Sequence, residues 1–294
     1  MATMVLDIGG TAIKSGLYTD GTLTDIQETP TEASRGSDFV VQRIKEIITS
    51  YRQHSSFDRI GISTAGQVDP VRGQIIYANE NIPGYTGTRL GELMKQEFQV
   101  PTAVENDVNA AAIGEFAFGA GKDHKNFVCL TYGTGVGGAI FSDGKLYSGS
   151  SYSAGEFGAI VTHPEDRMVE QDMFSGCYER YASATALVKR AVQLDPALDN
   201  GRKIFQRLEE PDVRTLVDRW IMEIVYGLTT IIHMMNPECV ILGGGIMEQP
   251  YVSEQLREKL YPNIMPSFRH VLIEKAALGN RAGMLGAAVL EHFS

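Results

Sequence analysis

Asp107 lies in Glu105-Asn106-Asp107-Val108-Asn109-Ala110, where a short strand, Thr102 to Glu105, gives way to a helix, Asn106 to Phe118. A carboxylate at such a junction is placed to accept a proton from a substrate hydroxyl, with Asn106 placed to hydrogen-bond a neighbouring hydroxyl. Both residue types also cap helices, so either could serve only to satisfy the open backbone N–H groups of the first turn.

Three glycine runs accompany this segment. Asp7-Ile8-Gly9-Gly10-Thr11 leads to Lys14; its glycines let backbone amides approach phosphate oxygens, and Thr11 adds a hydroxyl donor. Asp7, at a strand end, could hold Mg²⁺ directly or through water. Gly133-Thr134-Gly135-Val136-Gly137-Gly138 is no Walker loop, because no Gly-Lys-Ser/Thr follows, and a following strand instead of a helix argues against a dinucleotide fingerprint. Gly243-Gly244-Gly245 follows a third strand and leaves a flat surface for an adenosine. Each run alone reads equally as a tight turn, but all three together suit a bound nucleotide. Glu156 and Glu179 stand beside glycines and could pair with sugar hydroxyls, or could be solvated surface glutamates.

The elements that must carry these residues follow from apolar spacing. Val5 to Ile8, Ala12 to Thr19, Thr22 to Glu28 and Arg59 to Ser63 read as strands, with a turn at Asp20-Gly21. Phe39, Val40, Ile44, Ile47 and Ile48 have helical spacing, with Ser37 as the expected N-cap. The same grammar restarts with strands Phe127 to Tyr132 and Gly138 to Ser142. Helices are expected at about Ser183 to Gln193 and Asp212 to Asn236, a strand at Cys239 to Leu242, and a terminal helix at Arg281 to Phe293. Strand, glycine turn, strand thus occurs twice, which points to two related α/β lobes with a boundary near Gly119 to Lys125.

The 294 residues suffice for a large core, and 43% hydrophobic with 21% charged residues is ordinary for a soluble chain. A net charge of −10 without a basic run excludes a general affinity for nucleic acid or anionic membranes, so a bound anion needs backbone N–H groups and a metal ion. The N-terminus lacks the basic and apolar regions of a secretory signal, and no apolar run nears the ~20 residues of a membrane span. Cys129, Cys177 and Cys239 are too sparse for a disulfide framework. A cytoplasmic location is expected from these features.

Together these motifs resemble the ROK family of sugar kinases and repressors, within the actin, hexokinase and heat-shock ATPase superfamily, over Met4 to Phe293. The resemblance implies an α/β, two-lobed actin/hexokinase-like (ribonuclease H-like) fold with an interlobe active-site cleft. The lobes would span residues 1–118 and 119–281, with a C-terminal helix at about 282–294 packing back on the first. ATP and Mg²⁺ would be the cofactors. The first phosphate loop would comprise Gly9, Gly10 and Thr11, with Asp7 and Lys14; the second, Gly133, Thr134 and Gly135; the adenosine element, Gly244 and Gly245. Asp107 would be the catalytic base. Gly66, Gln67, Asn79 or Asn81, Asn106, Glu156 and Glu179 would contact the sugar, and the protein would be a homodimer.

Two departures from the family pattern bear on substrate. The family's Glu-x-Gly-His reads Glu156-Phe157-Gly158-Ala159 here, and the cysteine-rich zinc loop is reduced to Gly176-Cys177-Tyr178-Glu179, so no structural zinc is expected. In the family that histidine contacts hydroxyls near the anomeric end, so the resemblance implies that alanine leaves space there. This favours a group at C1 or C2, with a β-glucoside such as cellobiose first and N-acetylmannosamine or glucose as alternatives. The repressor members carry an N-terminal helix-turn-helix, for which a phosphate loop beginning at Asp7 leaves no room, and the acidic charge agrees.

Overall fold

Met4, Val5, Leu6 and Ile8 are fully buried in β1 (Thr3–Ile8), and the only polar residue near its C-terminal end is Asp7. Such a nearly unbroken apolar run suits a strand covered on both faces. In the computed structural model, which describes residues 2–293, β1 is the middle strand of its sheet. β2 (Ala12–Thr19) and β3 (Thr22–Pro30) return antiparallel from it, with an irregularity between Ser15 and Leu17.

α1 (Ser37–Arg52) buries Val40, Ile44, Ile47, Ile48 and Tyr51. Its cap is Gly36, at φ +88°, and not Ser37, whose N–H instead donates to the Pro83 carbonyl at 2.9 Å. β4 (Arg59–Thr64) runs parallel to β1. β5 (Gln67–Asp69) and β6 (Gln74–Tyr77) form a small antiparallel hairpin. After α2 (Leu90–Phe98), β7 (Thr102–Asn106) pairs parallel with β4 and runs directly into α3 (Asp107–Phe118). The sheet order is β3-β2-β1-β4-β7.

The second unit repeats the hairpin-then-parallel plan. β8 (Phe127–Tyr132) and β9 (Val136–Ser142) pair antiparallel around the second glycine turn. β10 (Lys145–Leu146) begins a short segment that belongs to the first unit. Helices α4 (Glu179–Ala182), α5 (Ala184–Leu194), α6 (Gly201–Gln206) and α7 (Pro211–Met235) follow. α7 buries Val213, Val217, Trp220, Ile224 and Leu228 at helical spacing, and the Trp220 indole N–H donates to the Ala182 and Ser183 carbonyls. Beyond it come β11 (Cys239–Gly243), α8 (Pro250–Asn263) and β12 (Leu272–Lys275). Strands β9, β8, β11 and β12 are neighbours in that order.

α9 (Ala282–Ala288) packs on β1, β4 and α3. Small residues allow the close approach: a β-carbon at Gly114 of α3 would stand 2.5 Å from the Ala282 carbonyl oxygen, and one at Gly286 would strike the backbone of Ala110. α9 is shorter than the terminal helix expected from sequence, and its last turn tightens to a 3-10 turn at Leu290–His292.

The first unit comprises residues 2–123, 145–154 and 280–293, and the second 124–144 and 155–279. The first therefore continues past residue 118, and residues 145–154, assigned to the second lobe by sequence, fold with the first.

Candidate active site

Strand register aligns the polar residues of the first unit. Lys14, Asp7, Ser63 and Glu105 stand in one row across β2, β1, β4 and β7, and Ile13, Ile8, Thr64 and Asn106 form the next. Asp7 Oδ1 accepts a 2.7 Å bond from Ser63 Oγ, and Lys14 Nζ lies 3.9 Å from Oδ2. Burial raises the Asp7 pKa, while Ser63 and Lys14 partly restore the charged form. Gly283 of α9 leaves space for this carboxylate, since a β-carbon there would come within 2.7 Å of Oδ1. Ser63 was not singled out from sequence, because its only signal is its register with Asp7.

Gly9, Gly10 and Thr11 link β1 to β2. Gly9 N–H donates to the Ala12 carbonyl at 3.0 Å, and the buried Thr31 hydroxyl donates to the Gly9 carbonyl at 2.7 Å. Gly10 and Thr11 are exposed at the tip. The loop is thus pinned at its base, with its outer residues open to a ligand.

At the end of β7 the capping reading is realised by Asn106. Asn106 is the N-cap of α3: its Oδ1 accepts from the backbone N–H groups of Val108 and Asn109 at 2.9 and 3.1 Å. Its Nδ2 donates to the Gly66 carbonyl and to Asp107 Oδ1, each at 2.9 Å. Asn106 is therefore engaged within the protein through both ends of its amide. Asp107 Oδ1 also accepts from Val108 N–H at 2.9 Å. Burial, and secondarily the negative charge of Asp7, push the Asp107 pKa up to about 6, against the opposing bonds from Val108 and Asn106. Glu105 behind it accepts from Asn106 N–H at 2.8 Å and Asn109 Nδ2 at 3.1 Å, and burial raises its pKa.

Gly66 has φ +95°, and a β-carbon would stand 2.9 Å from the Tyr77 carbonyl oxygen. Only glycine meets both conditions without strain. Gln67 Oε1 accepts a 2.9 Å bond from Ser153 Oγ, a residue from the returning segment 145–154 that sequence spacing could not associate with it. Asn79 and Asn81 lie in an exposed turn and bond to each other, Asn79 Oδ1 accepting from Asn81 N–H at 3.1 Å.

In the second unit, Gly133 and Thr134 are exposed in the turn between β8 and β9, and the turn closes with a 3.0 Å bond from Gly133 N–H to the Gly135 carbonyl. Glu179, at the start of α4, reaches this turn: a β-carbon on Gly135 would lie 2.5 Å from Glu179 Oε2. Burial raises the Glu179 pKa, Arg180 at 3.7 Å lowers it, and the Glu156 charge adds to the rise. Glu156 and Ala159 are exposed.

The loop before Glu179 is held by Arg167, whose Nη1 donates to the carbonyls of Met173 and Ser175 at 2.9 and 2.6 Å and approaches Cys177 Sγ at 3.1 Å. His163 stacks on Tyr181 with ring centroids 3.6 Å apart. Among the described residues, no three His, Cys, Asp or Glu side chains gather as a metal-binding group, and no helix is long and apolar enough to cross a membrane.

Gly244 turns with φ +105° against the Tyr132 backbone, and Gly245 has open space where a side chain would be. Beside Gly245 is a cavity of about 290 Å³. Ala184, Val188, Phe205 and Ile246 give it apolar walls, and Arg202 and Gln249 polar ones. Apolar walls with a few polar groups are typical of small-ligand sites.

The model of the ROK family matches residues 3–293. A β-glucoside kinase of Listeria innocua is 32% identical over 98% of this chain and 96% of its own. A ROK family glucokinase of Streptomyces griseus, solved with glucose and AMPPNP, superposes with a TM-score of 0.85 at 30% identity over 99% of both chains. A Listeria monocytogenes protein provisionally named an N-acetylmannosamine kinase gives a TM-score of 0.87 at 29% identity, over 100% of this chain and 98% of its own.

Proposed function

This chain belongs to the ROK family, and we propose that it transfers the γ-phosphoryl group of MgATP to the primary hydroxyl, at the 6-position, of a β-glucoside such as cellobiose. The reading is carried by Asp107, a carboxylate at a strand-to-helix junction that is oriented by Asn106 and raised to about 6, near the operating range of a general base. Its Oδ1 is occupied by Val108 and Asn106, so Oδ2 is the oxygen offered to the substrate. Asp107 takes the hydroxyl proton as the sugar oxygen bonds to the γ-phosphorus and the bond to the ADP oxygen breaks. Phosphoryl transfer then needs mainly positioning and charge stabilisation.

Gly9, Gly10 and Thr11, and Gly133, Thr134 and Gly135, are proposed to present backbone N–H groups to the phosphates. The cavity beside Gly244 and Gly245 is proposed for adenine. Asp7 suits Mg²⁺ by chemistry, being a hard oxygen donor whose buried charge Ser63 and Lys14 offset only in part. The ion, brought with ATP, would neutralise phosphate charge. Gly66, Gln67, Glu156 and Glu179 are proposed to hold the sugar hydroxyls, Asn106 to orient Asp107 as well as line the site, and Asn79 or Asn81 to border it. A homodimer is expected in solution and is measurable by light scattering.

The similarity to the β-glucoside kinase supports the first substrate, as does Ala159, which is exposed where the family pattern has histidine. N-acetylmannosamine is the second reading, favoured by the TM-score of 0.87 to the Listeria monocytogenes protein. A coupled assay of ADP release with cellobiose, N-acetylmannosamine and glucose tests both. Highest kcat/KM with cellobiose supports the first reading, and sugar-independent ADP release alone refutes transfer to any of them.

A further inference from the structure

We infer that Glu223 is a positioning residue of the sugar site: from α7 it holds the short helix α4, and with it the Glu179 carboxylate, through His163, Arg190 and Tyr181. The inference rests on the sugar-kinase reading above, in which Glu179 holds a sugar hydroxyl, and deepens it by naming what fixes Glu179 in place.

Glu223 lies on α7, and its side chain is only 17% exposed. Its Oε2 is buried and accepts no hydrogen bond from any described residue. Two groups face the carboxylate: His163 Nε2 stands 3.4 Å from Oε2, and Arg190 Nη2 stands 4.0 Å from Oε1. Burial raises the Glu223 pKa, and the charges of His163 and Arg190 work against the rise. Taking a carboxylate out of water costs about as much as its ion pairs contribute, so stability alone does not account for it.

Both groups lead to Tyr181 of α4. The His163 ring stacks on the Tyr181 ring, and the Arg190 guanidinium lies 5.4 Å from the centroid of the same ring. Arg190 Nη1 also donates to the Tyr181 carbonyl at 3.3 Å. His163 is itself fixed: its Nδ1 pairs with Thr162 Oγ1 at 3.0 Å, and its backbone N–H donates to the Gly176 carbonyl at 3.0 Å. On the other side of Glu179, Tyr178 packs on Gly227 of α7, where a β-carbon would lie 2.3 Å from its ring. The Tyr178 hydroxyl donates to the carbonyl of Ile224, the chain neighbour of Glu223, at 3.0 Å. The residue before Glu179 and the residue two beyond it are thus both tied to one short stretch of α7.

α4 has four residues, too few to hold a helix by itself, so its direction is set from outside. A carboxylate that must meet a sugar hydroxyl at hydrogen-bond distance tolerates little displacement. Loss of Glu223 frees the Tyr181 end of α4 while Tyr178 stays moored, which turns Glu179 away from its place.

The test measures KM for ATP and for the best substrate among cellobiose, N-acetylmannosamine and glucose. The proteins are wild type, Glu223→Ala, Glu223→Gln, Glu179→Ala and the double variant Glu179→Ala/Glu223→Ala, with thermal unfolding as the check of folding. Sugar KM is expected to rise about tenfold in Glu223→Ala and about threefold in Glu223→Gln, with ATP KM held within about twofold. Glu223→Gln keeps the shape without the charge and decides the matter should the alanine variant unfold. With Glu179 already removed, Glu223→Ala should alter sugar KM by less than about twofold, because the group it positions is gone. Sugar KM unchanged in the folded Glu223 variants overturns the inference. So do effects that multiply in the double variant, or an ATP KM that rises with the sugar KM, the marks of a merely structural role. Sugar KM unchanged in Glu179→Ala removes Glu179 from the sugar site and overturns the inference with it, leaving phosphoryl transfer intact. No sugar-dependent turnover in the wild-type protein refutes the kinase reading itself.

Discussion

Asn106 donates its amide to Asp107 at 2.9 Å while the oxygen of the same amide caps the helix that Asp107 begins. One side chain therefore sets both where α3 starts and which way the proposed base faces. Asn106→Ala removes both effects. Loss of the cap should cost about 1 kcal/mol of stability. Transfer should fall by more, because Asp107 loses its orienting donor, with kcat dropping about tenfold or further. Chemical denaturation beside steady-state kinetics separates the two; a kcat unchanged at full folding would show that Asp107 needs no such support.

Asp107 must be ionised to accept a proton. Its folded pKa is raised to about 6, so the rate with a saturating partner substrate should climb as pH rises through about 6 and level off above it. The acid limb of the kcat/KM profile measures this. A limb near the ordinary value of 3.8 would place the titrating base elsewhere.

The same shift has a cost in stability. A carboxyl whose folded pKa exceeds its unfolded pKa contributes its full share only below the unfolded value, and that share is lost as pH rises through the folded value. Replacing Asp107 by the neutral Asn should therefore stabilise the protein by about 1–3 kcal/mol at pH 8. The advantage should shrink as pH falls through 6 and vanish below about 4. Unfolding midpoints of both proteins across pH check it.

Gly135 lies under Glu179, where a β-carbon would stand 2.5 Å from the carboxylate oxygen. Gly135→Ala should push Glu179 aside and raise the sugar KM about tenfold. Glu179→Gln, which keeps the shape but not the charge, should raise it less. Equal KM values in Gly135→Ala and wild type would remove Glu179 from the sugar site.

Val188 faces the 290 Å³ cavity beside Gly245. Val188→Trp should fill it and raise the KM for ATP about tenfold, with the sugar KM held within about twofold. Unaltered nucleotide affinity would move the adenine site elsewhere.

Much of this fold was written in local pattern. The buried run of β1, the long apolar face of α7 and the glycine turn after β8 each declare their element without reference to distant residues. The elements that escaped notice depend on context. β5 and β6 are only three and four residues long, and β12 is four, too short for periodicity to register. α8 has a weak apolar face, with Pro262 inside its last turn. The segment proposed to be catalytic stands out because its residue types are adjacent in sequence. Ser63 and Ser153 do not, since one acquires meaning from strand register with Asp7 and the other from a chain segment that returns to Gln67 some 86 positions later.

The most direct test of Asp107 is Asp107→Asn, with ATP affinity by calorimetry and sugar-dependent ADP release on the same preparation. Transfer should fall by about a thousandfold, within the ~10²–10⁴ range of general-base loss, while ATP affinity stays within about threefold. Transfer surviving within about tenfold of wild type, or ATP binding lost to the same degree as transfer, would contradict Asp107 as the proton acceptor.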